Sequence, residues 1–226
     1  MHRRQGCYVS ETDSFIEEVS EEVRRDRLFA LMRKYGWIAV LVVLLLVGGA
    51  AYNEWRKATE TAAAQELGDS LLTALEQGDG DARAKALALI AGKDDNSRAL
   101  VAMLVAAEAQ SAGDKVSATQ ALTTLSEDMS QPKVYRDLAR LKLVLVAGTD
   151  MAVDERREKL GTLAIAGAPF RLLAEEQLAL LEIEEGNSDA AISRLTDIIG
   201  DVEVTAGLRN RASQLIVVLG GEIDAS

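Results

Sequence analysis

Residues 106–125, AAEAQSAGDKVSATQALTTL, and residues 179–198, ALLEIEEGNSDAAISRLTDI, are the two stretches whose reading decides the fold. In each, an apolar helix-like run stops at a glycine, Gly113 or Gly186, and Asp114 or Asn187 follows at once. Glycine reaches the left-handed conformation that closes a helix, and Asp or Asn supplies the oxygen that caps the next one. The small and apolar positions coincide as well. Ala106, Gly113, Ala118 and Leu122 stand where Ala179, Gly186, Ala191 and Leu195 stand. Each stretch therefore predicts a helix–turn–helix unit.

Two more glycines fall into the same register. Gly78, Gly113, Gly148 and Gly186 are spaced by 35, 35 and 38 residues, each followed within two residues by Asp or Asn. Seven residues before them lie Leu71, Ala106, Leu141 and Ala179; twelve after them lie Ile90, Leu125, Leu160 and Ile198. All eight are apolar. A period near 34 built of helix–glycine–helix units is the mark of a tetratricopeptide-type solenoid, here of about four units. An irregular all-α bundle with evenly spaced loops is the competing expectation. The predicted helices are 54–77, 81–91, 97–112, 115–127, 132–147, 152–163, 170–185, 189–199 and 206–219, the last capping the open end of the stack. Pro132 and Pro169 suit first-turn positions, where a missing N–H costs little. The third unit departs from the pattern, with Arg157 where an apolar residue is expected and Gly161 and Gly167 beyond it. The fold class expected is all-α.

Ahead of the repeats, residues 35–52 read YGWIAVLVVLLLVGGAAY, eighteen residues without a charge. As a helix they are about 27 Å long, close to the ~30 Å hydrocarbon core of a bilayer. Tyr35 and Trp37 stand at one end and Tyr52 and Trp55 at the other, the interface positions that amphipathic rings prefer. A buried core helix rarely has such basic flanks (Arg33-Lys34 and Arg56-Lys57), and a cleaved leader rarely has so long a segment before its apolar run. The reading is a single-pass anchor. Arg24, Arg25, Arg27, Arg33 and Lys34 precede it, against Arg56 and Lys57 alone before Arg83. Five against two places the N-terminus in the cytoplasm and residues 53–226 in the periplasm.

Residues 1–34 then form a cytoplasmic tail. Residues 1–8, MHRRQGCY, differ in character from the polar run of Ser10 to Ser14, and translation is expected to start at Val9. Ser14 and Glu17 have capping-box spacing, and Phe15, Ile16, Val19 and Val23 recur at helical spacing. An amphipathic helix lying among lipid headgroups is expected there, with a docking helix as the alternative.

Residues 1–52 carry seven groups of each sign, so the whole net charge of −11 lies in residues 53–226. A domain so acidic repels phosphate backbones, which excludes nucleic acid as a partner. The lone histidine and cysteine, His2 and Cys7, lie in the tail. The exported part thus lacks the commonest general base and metal ligands, and no metal or cofactor is expected. Its carboxylates fall in runs such as Asp154-Glu155, Glu175-Glu176 and Glu182 with Glu184-Glu185, read as solvated helix faces. Glu155 and Lys159 are a helical i,i+4 pair. Asp94-Asp95-Asn96 lacks the spacing of a calcium loop, and Gly78-Asp79-Gly80-Asp81 lacks the Gly-Lys-Ser/Thr of a phosphate loop. No catalytic residue is assigned, and an enzyme is not expected.

A short charged tail, an anchor ending in GGAAYNEWRK and an alanine-rich helix opening a repeat domain together resemble the YfgM-like family, ancillary subunits of the bacterial SecYEG translocon. The resemblance covers residues from about Ser10 to the C-terminus. Its best local matches are Trp55-Arg56 and the turns at Gly113 and Gly186. It implies an inner-membrane protein with a periplasmic repeat domain that meets the Sec translocon and hands exported chains to periplasmic chaperones. A scaffold for another envelope complex, in cell division, cytochrome maturation or cell-wall synthesis, is the alternative.

Overall fold

The computed structural model describes the backbone of residues 11–222 and the side chains of residues 32–222 apart from Ala39. The start expected at Val9, His2, Cys7, the side chains of Ser14, Glu17, Arg24, Arg25 and Arg27, and residues 223–226 lie outside the described residues. Every regular element among the described residues is helical: nine α-helices and one 3-10 turn, with no strand. The chain divides into two compact units, Met1–Ala64 and Gln65–Ser226.

Helix α1, Glu11–Leu75, is one unbroken helix of 65 residues. The backbone of Ser14, where the capping-box spacing suggested a helix start, already lies inside the helix. No proline interrupts it, and Gly48 and Gly49 sit among residues whose apolar side chains tolerate a helix throughout. From Met32 onward α1 is long and apolar enough to cross a membrane by length and composition, its most apolar eighteen residues having a mean hydropathy of 2.1 and none of them buried.

The second unit contains α2 (Gly80–Ala88), α3 (Asp95–Ser111), α4 (Lys115–Glu127), α5 (Lys133–Ala147), a 3-10 turn Gly148–Asp150, α6 (Val153–Gly161), α7 (Arg171–Glu184), α8 (Ser188–Gly200) and α9 (Ala206–Val218). Starts and stops follow side-chain chemistry. Asp79 accepts from the Ala82 N–H (2.8 Å), and Asp114 from the Ser117 N–H (3.0 Å). Asp94 and Ser97 form a reciprocal capping box at the head of α3. Pro132 is the N-cap of α5, and Pro169 precedes the N-cap Phe170 of α7, so neither occupies a first turn. A proline's fixed φ, about −65°, suits both the extended entry at Pro132 and the turn that Pro169 shares with Phe170, closed by the Arg171 N–H on the Ala168 carbonyl.

From α2 to α9 each helix packs on the next in chain order. Three buried clusters run through the unit. Ala99, Ala106, Leu122, Leu125, Ala139 and Leu143 join α3, α4 and α5. Leu141, Val144, Leu160, Leu163, Ala174, Leu178 and Leu181 join α5, the α6 region and α7. Ala179, Leu195, Ile198, Leu208, Ala212 and Ile216 join α7, α8 and α9. Helices α5 and α7 each serve two clusters, because their apolar residues fall on two faces. Of the eight register positions, Ala106, Leu141, Ala179, Leu125, Leu160 and Ile198 are buried, while Leu71 and Ile90 are half-buried. The first repeat differs for a packing reason. Residues 65–75 of α1 bury Ala74 and pair Glu66 with Lys93 (2.5 Å), but lack the extended helix-on-helix packing seen from α2 onward.

Candidate functional site

The four repeat glycines do not share one conformation. Gly113 and Gly186 have φ of +81° and +80°. At each, the glycine N–H reaches back to Gln110 or Ile183 and the next N–H to Ala109 or Glu182, the double bond of a Schellman cap. Gly220 closes α9 the same way, with φ +82°. Gly148 is bent differently (φ +54°, ψ −131°): it caps α5 with its N–H on the Val144 carbonyl and at once opens the 3-10 turn. Gly78 has no positive φ; it lies in an open bend, and Asp79 behind it starts α2.

In the first unit, Arg33, Lys34, Tyr35, Trp37, Tyr52 and Trp55 are all exposed on α1. The Lys34 ammonium lies 5.5 Å from the centre of the Tyr35 ring, and the Tyr52 and Trp55 rings stand 6.2 Å apart, one helical turn separated. These are local helix-neighbour contacts.

Large apolar side chains are exposed on several helices of the second unit: Leu100 on α3, Val116 on α4, Val134 and Leu145 on α5, Leu173 and Leu180 on α7, and Val217 and Val218 on α9. Helices α3, α5 and α7 bury other apolar residues in the clusters, so each carries apolar side chains toward the core and toward solvent. Two clefts open between helices. One, of about 320 Å³, lies over Val116, Thr119, Leu143 and Met151, with a Lys115–Asp150 ion pair at its edge. The other, of about 370 Å³, runs between α7 and α8 and is polar.

The carboxylate runs of α7, expected as solvated faces, instead hold arginines from other helices. Glu176 is buried, and Arg211 of α9 grips both its oxygens at 2.6 and 2.8 Å. Glu184 takes the buried Arg156 of α6 in the same two-point fashion, at 2.8 and 2.7 Å, and Glu185 pairs with Arg157. Arg194 of α8 is held by Glu182 (2.6 Å) and Glu175. Arg171 bonds Asp201 (2.7 Å) and Glu203 (3.0 Å). The physical reason is burial of one member of a pair: Glu176 on α7 and Arg156 on α6 are shut off from water, and a buried charge needs a counter-charge. Arg156 keeps the Glu184 carboxyl below its usual range. The Glu203 N–H, then Arg171, do the same for Asp201. Glu182 raises Arg194 further above its ordinary value, with Glu175 adding to the effect. Sequence reasoning missed these pairs, although one signal was available. Glu176 and Arg211 are 35 residues apart, as are Lys115 and Asp150, the same interval as the glycine period.

Lys159 and Glu155 do pair within α6, at 3.4 Å. Asp94, considered for a calcium loop, is engaged as a helix cap. Among the described residues, no group of three or more His, Cys, Asp or Glu is placed to hold a metal ion. The arrangement offers surfaces and clefts bounded by firmly paired charges.

A family model described as a tetratricopeptide repeat-like domain matches residues 32–165, from the apolar part of α1 to just past α6. No curated protein and no solved structure matches the chain. The match spans more than half of the 226 residues, and with the helix–turn–helix order of α2 to α6 it places the chain in the tetratricopeptide repeat-like domain family.

Proposed function

We propose that this protein is a non-enzymatic, single-pass inner-membrane protein whose periplasmic repeat domain binds other proteins. Its α2–α9 stack is read as a solenoid with its turns near Gly78, Gly113, Gly148 and Gly186. The observation that carries the reading is the relay of three clusters through α5 and α7, with apolar side chains left exposed on the same helices. Stacked helix pairs of this kind expose extended surfaces suited to protein segments. Tetratricopeptide-like domains generally mediate protein–protein interaction, and the acidic balance of residues 53–226 favours basic or unfolded chains. Residues 35–52 form the anchor, with Tyr35, Trp37, Tyr52 and Trp55 at the two interfaces. Arg24, Arg25, Arg27, Arg33 and Lys34 set the N-terminus in the cytoplasm. No metal or cofactor takes part.

The partner proposed is the Sec translocon, with exported chains and periplasmic chaperones on the repeat domain. The test is a mild-detergent pull-down of the tagged full-length protein, read by mass spectrometry, beside a form lacking residues 58–226. Sec subunits and periplasmic chaperones lost selectively from the truncated form support the reading. Recovery of a division, cytochrome-maturation or wall-synthesis complex without Sec subunits overturns the translocon assignment and makes the protein a scaffold for that complex. Protease added to spheroplasts tests the topology: it must remove residues 53–226 and leave the N-terminal tail intact.

A further inference from the structure

We draw no further inference here: the strongest candidate, the polar cleft between α7 and α8 lined by Glu175, Glu182, Arg194, Asp197 and Asp201, is an acidic cluster whose carboxylates mostly pair with Arg171 and Arg194, and no second observation points to a ligand there.

Discussion

Replacing each of three repeat glycines with alanine separates a left-handed helix cap from an ordinary bend. Gly113 and Gly186 sit at φ +81° and +80°, with open space where a Cβ would go. The cost of alanine there is conformational, with no clash to add to it. A Cβ-bearing residue pays roughly 1–2 kcal/mol in the left-handed region. Alanine also restricts the unfolded chain, which offsets roughly 0.4–1 kcal/mol. The expected net loss is about 1 kcal/mol for Gly113→Ala and for Gly186→Ala. Gly78 has the same open surroundings without the positive φ. Only the unfolded-chain effect remains, so Gly78→Ala is expected to stabilise by about 0.5 kcal/mol. The two classes then differ by about 1.5 kcal/mol, or roughly 3–6 °C in midpoint for a domain of this size. Far-UV circular dichroism of the full-length protein in mild detergent reads this difference during heating, with the apolar part of α1 as a helical background common to all variants. A Gly78→Ala variant that loses as much as Gly186→Ala refutes the assignment of distinct geometries to these turns.

Three other outcomes rest on particular contacts. A Cβ at Gly92 lies 2.5 Å from the Arg98 backbone nitrogen, so Gly92→Ala forces the α2–α3 loop open and is expected to cost about 1–3 kcal/mol in a urea titration. Gly207→Ala, whose nearest neighbour is the flexible Arg211 guanidinium at 3.8 Å, is the control and should cost little. Glu176→Gln removes the charge that Arg211 grips; with Arg211 half-exposed, the loss is expected at about 1–2 kcal/mol, and a double-mutant cycle with Arg211→Ala should show coupling between the two. Stability should also depend on acid. The carboxyls of Glu184, Asp201, Asp114 and Asp128 are all held below their ordinary values, chiefly by hydrogen bonds from Arg156, Glu203, Ser117 and Ser130 respectively. Folded groups of this kind bind protons less readily than unfolded ones, so their contribution is complete above about pH 4 to 5 and is lost as pH falls through the folded values. Urea midpoints should be level from about pH 7 to 5 and fall toward about pH 3; a midpoint unchanged at that acid end contradicts the assignment.

Turns and register were the most legible part of the chain because they rest on local rules. Glycine followed by an acid or amide marks Gly113-Asp114 and Gly186-Asn187 through backbone geometry that needs no tertiary partner. The same letters at Gly78-Asp79 lead to a bend of ordinary φ, since a Schellman cap also requires a helix end whose last carbonyls are free to receive the two N–H groups. Here α1 stops at Leu75, and the N–H groups of Glu76 and Gln77 bond Leu72 and Ala74, so the helix unwinds before Gly78 is reached. The half-buried Leu71 and Ile90 have a related cause. A residue's apolar character shows that it can be buried, and whether it is buried depends on a neighbouring helix that residues 65–75 do not fully engage.

The faces of α7 were beyond the reach of periodicity for a different reason. Its sequence, RLLAEEQLALLEIE, carries five leucines, of which Leu178 and Leu181 are buried, Leu172 is half-buried, and Leu173 and Leu180 are exposed. A helix lying between two cores is apolar over most of its circumference, so its pattern no longer distinguishes the strip that faces the protein from the strip left for a partner. The glutamates carry the same ambiguity, because a buried Glu176 and an exposed Glu184 differ only in what approaches them from α9 and α6. In a stacked repeat, however, contacts between neighbouring units recur at about the repeat length. Arginine and carboxylate one period apart, as in Glu176 with Arg211, are therefore the pairs in which sequence alone has a geometric reason to expect a bond. The charges of α7 thus join it to its neighbours, while Leu173 and Leu180, about two turns apart on the same face, remain exposed.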